Sequence, residues 1–178
     1  KNVHIRNLTC KGPLASVAIG SEVSGGVENV LVEDIEYYGV DSVAHIKWGP
    51  TRGGYVRNVT FQRIVADGDL SSGIYIDGTY GSANRACPPD WQPPVLTDVG
   101  PIAFIDIHGS ISGYDNSSAA YHLVGLEDLP VHNITISRTN FQSNSVVANW
   151  TCKHVTGTAE EDSVIPWPPC NEISVVVT

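Results

Sequence analysis

His45, Lys47 and Arg52 fall in one short window of an otherwise acidic chain. Ten Lys and Arg stand against nineteen Asp and Glu, a net charge of −9. That balance excludes nucleic acid as a partner, because phosphate recognition needs clustered Lys and Arg. An anionic ligand needs local positive charge to overcome the global field, and this window supplies it. Other chemistry is poorly served. Asp34, Asp41, Asp67, Asp69 and Asp77 are scattered rather than paired. Asp67-Gly68-Asp69 lacks the further oxygen ligands of a calcium loop and reads as a turn. The four cysteines include no C-x-x-C, so no zinc site is expected. No G-x-S-x-G occurs and the six histidines are dispersed, which excludes a recognisable Ser-His-Asp arrangement. No catalytic residue, metal or cofactor is assigned.

The elements that must position this window repeat along the chain. Val3-x-Ile5-x-x-Leu8 recurs as Val30-x-Val32-x-x-Ile35, Val59-x-Phe61-x-x-Ile64 and Ile102-x-Phe104-x-x-Ile107, with a frayed copy at Ile134-x-Ile136 ending at Thr139. Asn2, Asn29, Asn58 and Asn133 directly precede four of the five. The starts lie 27, 29, 43 and 32 residues apart, and the long interval holds a Pro-rich insertion over 81–99 that includes Cys87. A second apolar alternation follows each first one: Val17-Ala18-Ile19, Ala44-His45-Ile46, Ile74-Tyr75-Ile76 and Tyr121-His122-Leu123. Helical periodicity is never sustained. Short strands at a period near thirty residues predict an all-β solenoid, a parallel β-helix forming one domain over 1–178. An antiparallel sandwich is the competing arrangement. Asparagine suits the corners of such a coil, since it tolerates left-handed backbone and its amide can bond to the next coil.

Aligning Ile19, Ile46 and Ile76 sets His45 beside Tyr75, and Lys47 beside Asp77, on neighbouring outward rungs about 4.8 Å apart. Lys47 then either binds a ligand or pairs with Asp77. The first coil starts at residue 2 with no cap before it. An open solenoid end is an aggregation hazard, so an N-terminal partner segment or chain is expected to cover it. The hydrophobic fraction of 42% against 16% charged residues argues for a folded chain. No apolar run reaches the roughly 18 residues of a membrane span, so no membrane association is expected.

Three motifs carry a resemblance: Ile19-Gly20-Ser21-Glu22-Val23-Ser24-Gly25-Gly26, then His45-Ile46-Lys47, then Arg52-Gly53-Gly54-Tyr55-Val56. Their order and spacing resemble the second half of plant polygalacturonase-like proteins, glycoside hydrolase family 28, which carry I-G-S-E-x-S-G-G, R-I-K and R-G-G-Y-V. Trp150-x-Cys152-x-x-Val155-x-Gly157 and Pro168-Pro169-Cys170 match the family's C-terminal ending, so the resemblance runs from about Asn2 to Cys170. It implies a right-handed parallel β-helix of the pectin-lyase type and an enzyme acting on pectin, an acidic polysaccharide of the plant cell wall. The family's catalytic aspartates, in N-T-D and D-D motifs, would lie upstream of this sequence.

By resemblance Lys47 contacts a galacturonate carboxylate, and Tyr80 in Ile76-Asp77-Gly78-Thr79-Tyr80 contacts substrate. His45 stands where the family has Arg, a departure that removes the bidentate guanidinium fork and ties any charge to pH. If His45 contributes charge, pectin binding weakens above neutral pH. Gly12-Pro13-Leu14-Ala15-Ser16-Val17 replaces the family's G-H-G segment. Glu22 is expected to hold backbone amides of the glycine turn. The C-terminal motifs imply a Cys152–Cys170 disulfide. Cys10 pairs with Cys87 only if the insertion folds back, and otherwise with a segment outside the chain. Sequons at Asn7, Asn58, Asn116, Asn133 and Asn149, with four cysteines, point to a secreted glycoprotein of the extracellular wall. The alternative function is a non-catalytic β-helix glycoprotein that binds wall polysaccharide.

Overall fold

The computed structural model describes residues 1–13, 16–50, 52–81, 96–112, 119–143, 149–167 and 169–177. All regular structure among them is strand. A long parallel sheet runs β1 (Val3–Lys11), β3 (Val27–Tyr38), β5 (Gly54–Leu70), β8 (Ile102–Ile111), β10 (Val131–Ser143), β12 (Val155–Glu160) and β14 (Ile173–Val176). Two short strands join its sides, β7 (Leu96–Val99) on β5 and β13 (Val164–Ile165) on β10. A shorter parallel sheet runs β2 (Ala18–Ile19), β4 (Ser42–Lys47), β6 (Ser72–Asp77), β9 (Tyr121–Val124) and β11 (Trp150–Lys153). The chain visits the two sheets in turn, which is the course of a right-handed parallel β-helix. The sandwich arrangement is excluded, because every pairing between named strands is parallel.

The repeated motif sets the register. Val3, Val30, Val59, Ile102 and Ile134 are successive partners in the long sheet. Its x-x doublet marks a corner. In β3, Val30 and Val32 are buried, then the inward phase shifts to Ile35 and Tyr37. Asp34 lies at the shift with φ of 56°, and Asn7, Arg63, Asp106 and Arg138 occupy the same corner with φ of 51, 51, 57 and 48°. Each long strand therefore bends and covers two sides of the coil. The asparagines make the preceding corner. Asn2, Asn29 and Asn58 have φ of 60, 57 and 50°. Asn58 Nδ2 donates to Asn29 Oδ1 at 2.8 Å, and Asn29 Nδ2 to Asn2 Oδ1 at 2.9 Å. This ladder satisfies side chains along the stack while the backbone takes a left-handed turn that most residues resist.

Inside the coils the inward residues stack in rows. Val32, Phe61, Phe104 and Ile136 form one, with the two Phe rings 5.8 Å apart and nearly parallel. Tyr121 is buried against Trp150, and its hydroxyl meets Thr139 Oγ1 at 2.6 Å and donates to Ile165 O at 3.0 Å. Val3 and Leu8 carry the inward pattern but are exposed, because β1 is the edge strand. The insertion expected over 81–99 is shorter than that range, since Leu96–Val99 is β7 and pairs with β5. Cys87 and Asn116 lie outside the described residues. Cys10 is a half-buried free thiol, and Cys152 and Cys170 form a disulfide with Cα atoms 6.2 Å apart. No helix long and apolar enough to cross a membrane occurs among the described residues.

Candidate polysaccharide-binding site

The short sheet brings the expected residues together. Ala18, His45, Tyr75, His122 and Thr151 are consecutive outward partners, and Lys47, Asp77, Val124 and Lys153 form the rung set beside them. Inward neighbours Ile46, Ile76 and Leu123 are fully buried and anchor the strands beneath. Apolar-polar alternation along these short strands is what turns these side chains outward on one face.

Two glycines fix Lys47 and Tyr80. Gly20, in the Ile19-Gly20-Ser21 segment, has φ of +91°, and a β-carbon there would collide with the Lys47 carbonyl oxygen. A β-carbon on Gly49 would stand 2.5 Å from the Tyr80 carbonyl oxygen. The chain before β4 and the turn after β6 can thus close on Lys47-Trp48-Gly49. The result is a contact: Lys47 Nζ lies 4.4 Å from the centre of the Tyr80 ring. Asp77, Lys47's neighbour across the sheet, is otherwise engaged. Its Oδ1 accepts from Thr79 N at 2.8 Å and from Thr79 Oγ1 at 2.7 Å, and it is buried. Among the described residues no carboxylate is within salt-bridge distance of Lys47. The Lys47–Asp77 pairing held open from the sequence is absent.

A cleft of about 300 Å³ opens beside this contact, lined by Asp41, Ser42, His45, Ser71, Ser72, Tyr75, Tyr80 and His122. The His45 and Tyr75 rings are 4.8 Å apart, and the Tyr75 and His122 rings 4.4 Å apart and nearly parallel. Burial, and then the Lys47 ammonium, pushes His45 below the ordinary imidazole value. Its Nδ1 faces Ser42 Oγ at 3.4 Å, while Nε2 is buried without a partner. A proton on that nitrogen would be a buried donor with nothing to accept it, so geometry also favours the neutral ring. Burial likewise lowers His122. At neutral pH the cation beside the cleft is Lys47, and His45 contributes none.

Two further expectations change. Glu22 does not hold the glycine turn's amides; its Oε2 accepts from Arg52 Nη1. Arg52 is thereby withdrawn from the cationic window read from the sequence. Lys153 ends β11 on the same outward rungs as Lys47. In β11 Trp150 and Cys152 are half-buried while Thr151 and Lys153 are exposed, an alternation too short to mark a strand in the sequence. The Cys152 and Cys170 sulfurs lie near the Glu172 carboxylate, but a disulfide offers no thiolate to a metal.

The chain matches the glycosyl hydrolases family 28 over residues 1–163. It is 31% identical to a probable polygalacturonase of Vitis vinifera over 171 residues, covering 94% of this chain and 33% of the relative. It is 28% identical to a probable polygalacturonase of Arabidopsis thaliana over 178 residues, covering 97% and 38%. The chain therefore spans about a third of the length of the curated relatives it matches. No solved structure matches it. With its motifs, its parallel coil and this match over most of its length, the chain belongs to glycoside hydrolase family 28.

Proposed function

We propose that this chain is the substrate-binding part of a polygalacturonase-type hydrolase acting on pectin of the plant cell wall. Lys47 holds a galacturonate carboxylate, Tyr80 positions the lysine and packs on the sugar, and His45 lines the cleft as a neutral ring. The observation that carries this reading is the outward Lys47 ammonium, seated on Tyr80 and paired with no acid among the described residues. Inverting hydrolysis needs two carboxyl groups about 6.5–9.5 Å apart around the scissile bond. On this face Asp77 is buried and engaged by Thr79, and Asp41 accepts from Ser71 Oγ at 2.8 Å. The acid and base in this reading come from an N-terminal partner segment or chain.

The replacement of the family's Arg by a neutral His45 favours a second reading, a secreted wall-binding β-helix without catalysis. In both readings the chain is an extracellular glycoprotein. Asn7, Asn58, Asn133 and Asn149 are exposed, in keeping with sugar attachment there. Asn116 belongs to the same proposal.

Electrophoretic retardation in a polygalacturonate gel, with a reducing-end assay on the same sample, tests the main reading. The 178-residue chain is expected to be retarded, to be released by salt as exposed charge pairs are, and to generate no reducing ends. Hydrolysis by the chain alone would make Asp77 catalytic. Retardation indifferent to salt would remove pectin as the ligand.

A further inference from the structure

The asparagine ladder has a direction. Asn29 Oδ1 accepts from Asn58 Nδ2 at 2.8 Å, while Asn29 Nδ2 donates to Asn2 Oδ1 at 2.9 Å. The Asn29 carbonyl therefore points up the coil axis, and its donating N–H points down it, antiparallel to that carbonyl. Asn58 holds the same corner with the same left-handed backbone and donates downward in the same way. Because an amide is planar, the second N–H of each, on the carbonyl side, points away from the coil below.

Of the three, only Asn58 heads a sequon, Asn58-Val59-Thr60. It is exposed, and it ends the ladder because Pro101 takes the next corner. An N-linked sugar makes the side-chain amide secondary. In the trans form of such an amide the substituent lies on the carbonyl side, and the retained N–H is antiparallel to the carbonyl. That retained hydrogen is the one the ladder uses. Asn133 is the contrast. It heads Asn133-Ile134-Thr135 at the same corner, with φ of 54°, but stands between Pro101 and Thr156, neither of which has an amide side chain.

We propose that Asn58 is an N-glycosylation site inside the ladder: the sugar replaces the outward amide hydrogen, and the hydrogen bond to Asn29 is kept. This rests on the secreted-glycoprotein reading above and deepens it, because the linkage nitrogen becomes part of what ties β5 to β3. Trimming the sugar then leaves the stack intact, whereas an amidase undoes it. In that reaction water adds to Cγ, the Cγ–Nδ2 bond breaks, and the nitrogen leaves with the sugar as a glycosylamine. The carboxylate that remains faces Asn29 Oδ1 with no hydrogen to donate.

Secretion of the 178-residue chain from a eukaryotic host that adds high-mannose glycans tests this. Peptide mapping of the wild-type chain should find sugar on Asn58. Two variants are then melted, one with Asn58 and one with Asn133 as sole acceptor, the third residue of every other sequon being changed to Ala. Each is measured with its full glycan, after endoglycosidase trimming to one N-acetylglucosamine, and after release by a peptide N-glycanase. In the Asn58 form, trimming should move the midpoint by less than about 1 °C and release should lower it by about 2–4 °C, the shift for one net hydrogen bond in a chain of this size. Release should bring no such drop in the Asn133 form. Asn58→Asp reproduces the released product without the enzyme and should melt lower than the unglycosylated wild type by the same amount. Four outcomes overturn the proposal and leave the glycoprotein reading standing: a bare Asn58 in a chain glycosylated elsewhere, equal drops on release in both forms, a trimmed Asn58 form as unstable as the released one, or an Asn58→Asp chain as stable as wild type. Absence of sugar from every sequon overturns both.

Discussion

Lys47 stands over the Tyr80 ring at 4.4 Å, although its neighbour across the sheet is Asp77. A lysine beside an aspartate ordinarily becomes a surface ion pair, worth little to stability and nothing to an anionic ligand. Here Thr79 occupies the Asp77 oxygen, and the ammonium is left to the aromatic face and to solvent. Aromatic seating holds the cation without neutralising it, which is what a carboxylate site requires.

That seating is measurable. Tyr80→Phe keeps the ring and should leave polygalacturonate affinity nearly unchanged. Tyr80→Leu removes a contact worth about 0.5–1 kcal/mol at exposed sites, so affinity should fall severalfold. Calorimetry on both variants checks it; equal losses would mean that the phenol hydroxyl, not the ring, matters.

Gly49→Ala should press a methyl group against the Tyr80 carbonyl. Overpacking of this kind costs about 1–3 kcal/mol, read as a lower urea midpoint, and it should weaken polygalacturonate binding in parallel because Tyr80 moves. Unchanged stability would show that the turn relaxes freely.

Removing the Cys152–Cys170 disulfide, by the double Ser variant, opens a loop between residues 18 apart in sequence. The chain-entropy expectation is a loss of about 3 kcal/mol, measured by chemical denaturation. Polygalacturonate binding at Lys47 should persist in the folded fraction.

His45 and His122 are both held below the ordinary imidazole value, chiefly by burial. The unfolded chain then binds more protons, so their contribution to stability is present above about pH 6.5. It is lost as pH falls through their lowered folded values. Around His45 the groups in play are Lys47, Asp41, Asp77 and His122. Polygalacturonate binding should accordingly be flat between pH 7 and 8, not weaken as a charged His45 would require. Imidazole proton shifts followed by NMR, alongside melts across the range, test both statements; a His45 titrating above the ordinary value contradicts them.

Much of the fold is written in the repeat. The period-two alternation, the Asn before four of the five units and the intervals between units set which strands pair, and Val3 through Ile134 stack accordingly. The corner inside each long strand was only half legible. The x-x doublet recorded it, but Arg63 and Arg138 give no sign of left-handed backbone, a conformation associated with Gly, Asn and Asp. Register alone could set Lys47 beside Asp77, yet it could not show that the turn after β6 returns Thr79 to Asp77 and Tyr80 to Lys47. Those contacts depend on close approach at Gly20 and Gly49. Lys153 was obscured because β11 is only four residues long, too short for a clear periodic signal.

The central claim is that Lys47 is the carboxylate-binding cation of this chain. It is tested most directly by comparing polygalacturonate affinity for Lys47→Ala and Lys11→Ala. Lys11 lies at the end of β1 in the long sheet and, like Lys47, sits over a tyrosine, Tyr38, at 5.1 Å. Both variants lose one positive charge, so the global field changes equally. Affinity is predicted to fall about tenfold for Lys47→Ala, as expected for loss of a charged hydrogen bond, and to stay near wild type for Lys11→Ala. Equal, small effects from the two substitutions would contradict the assignment.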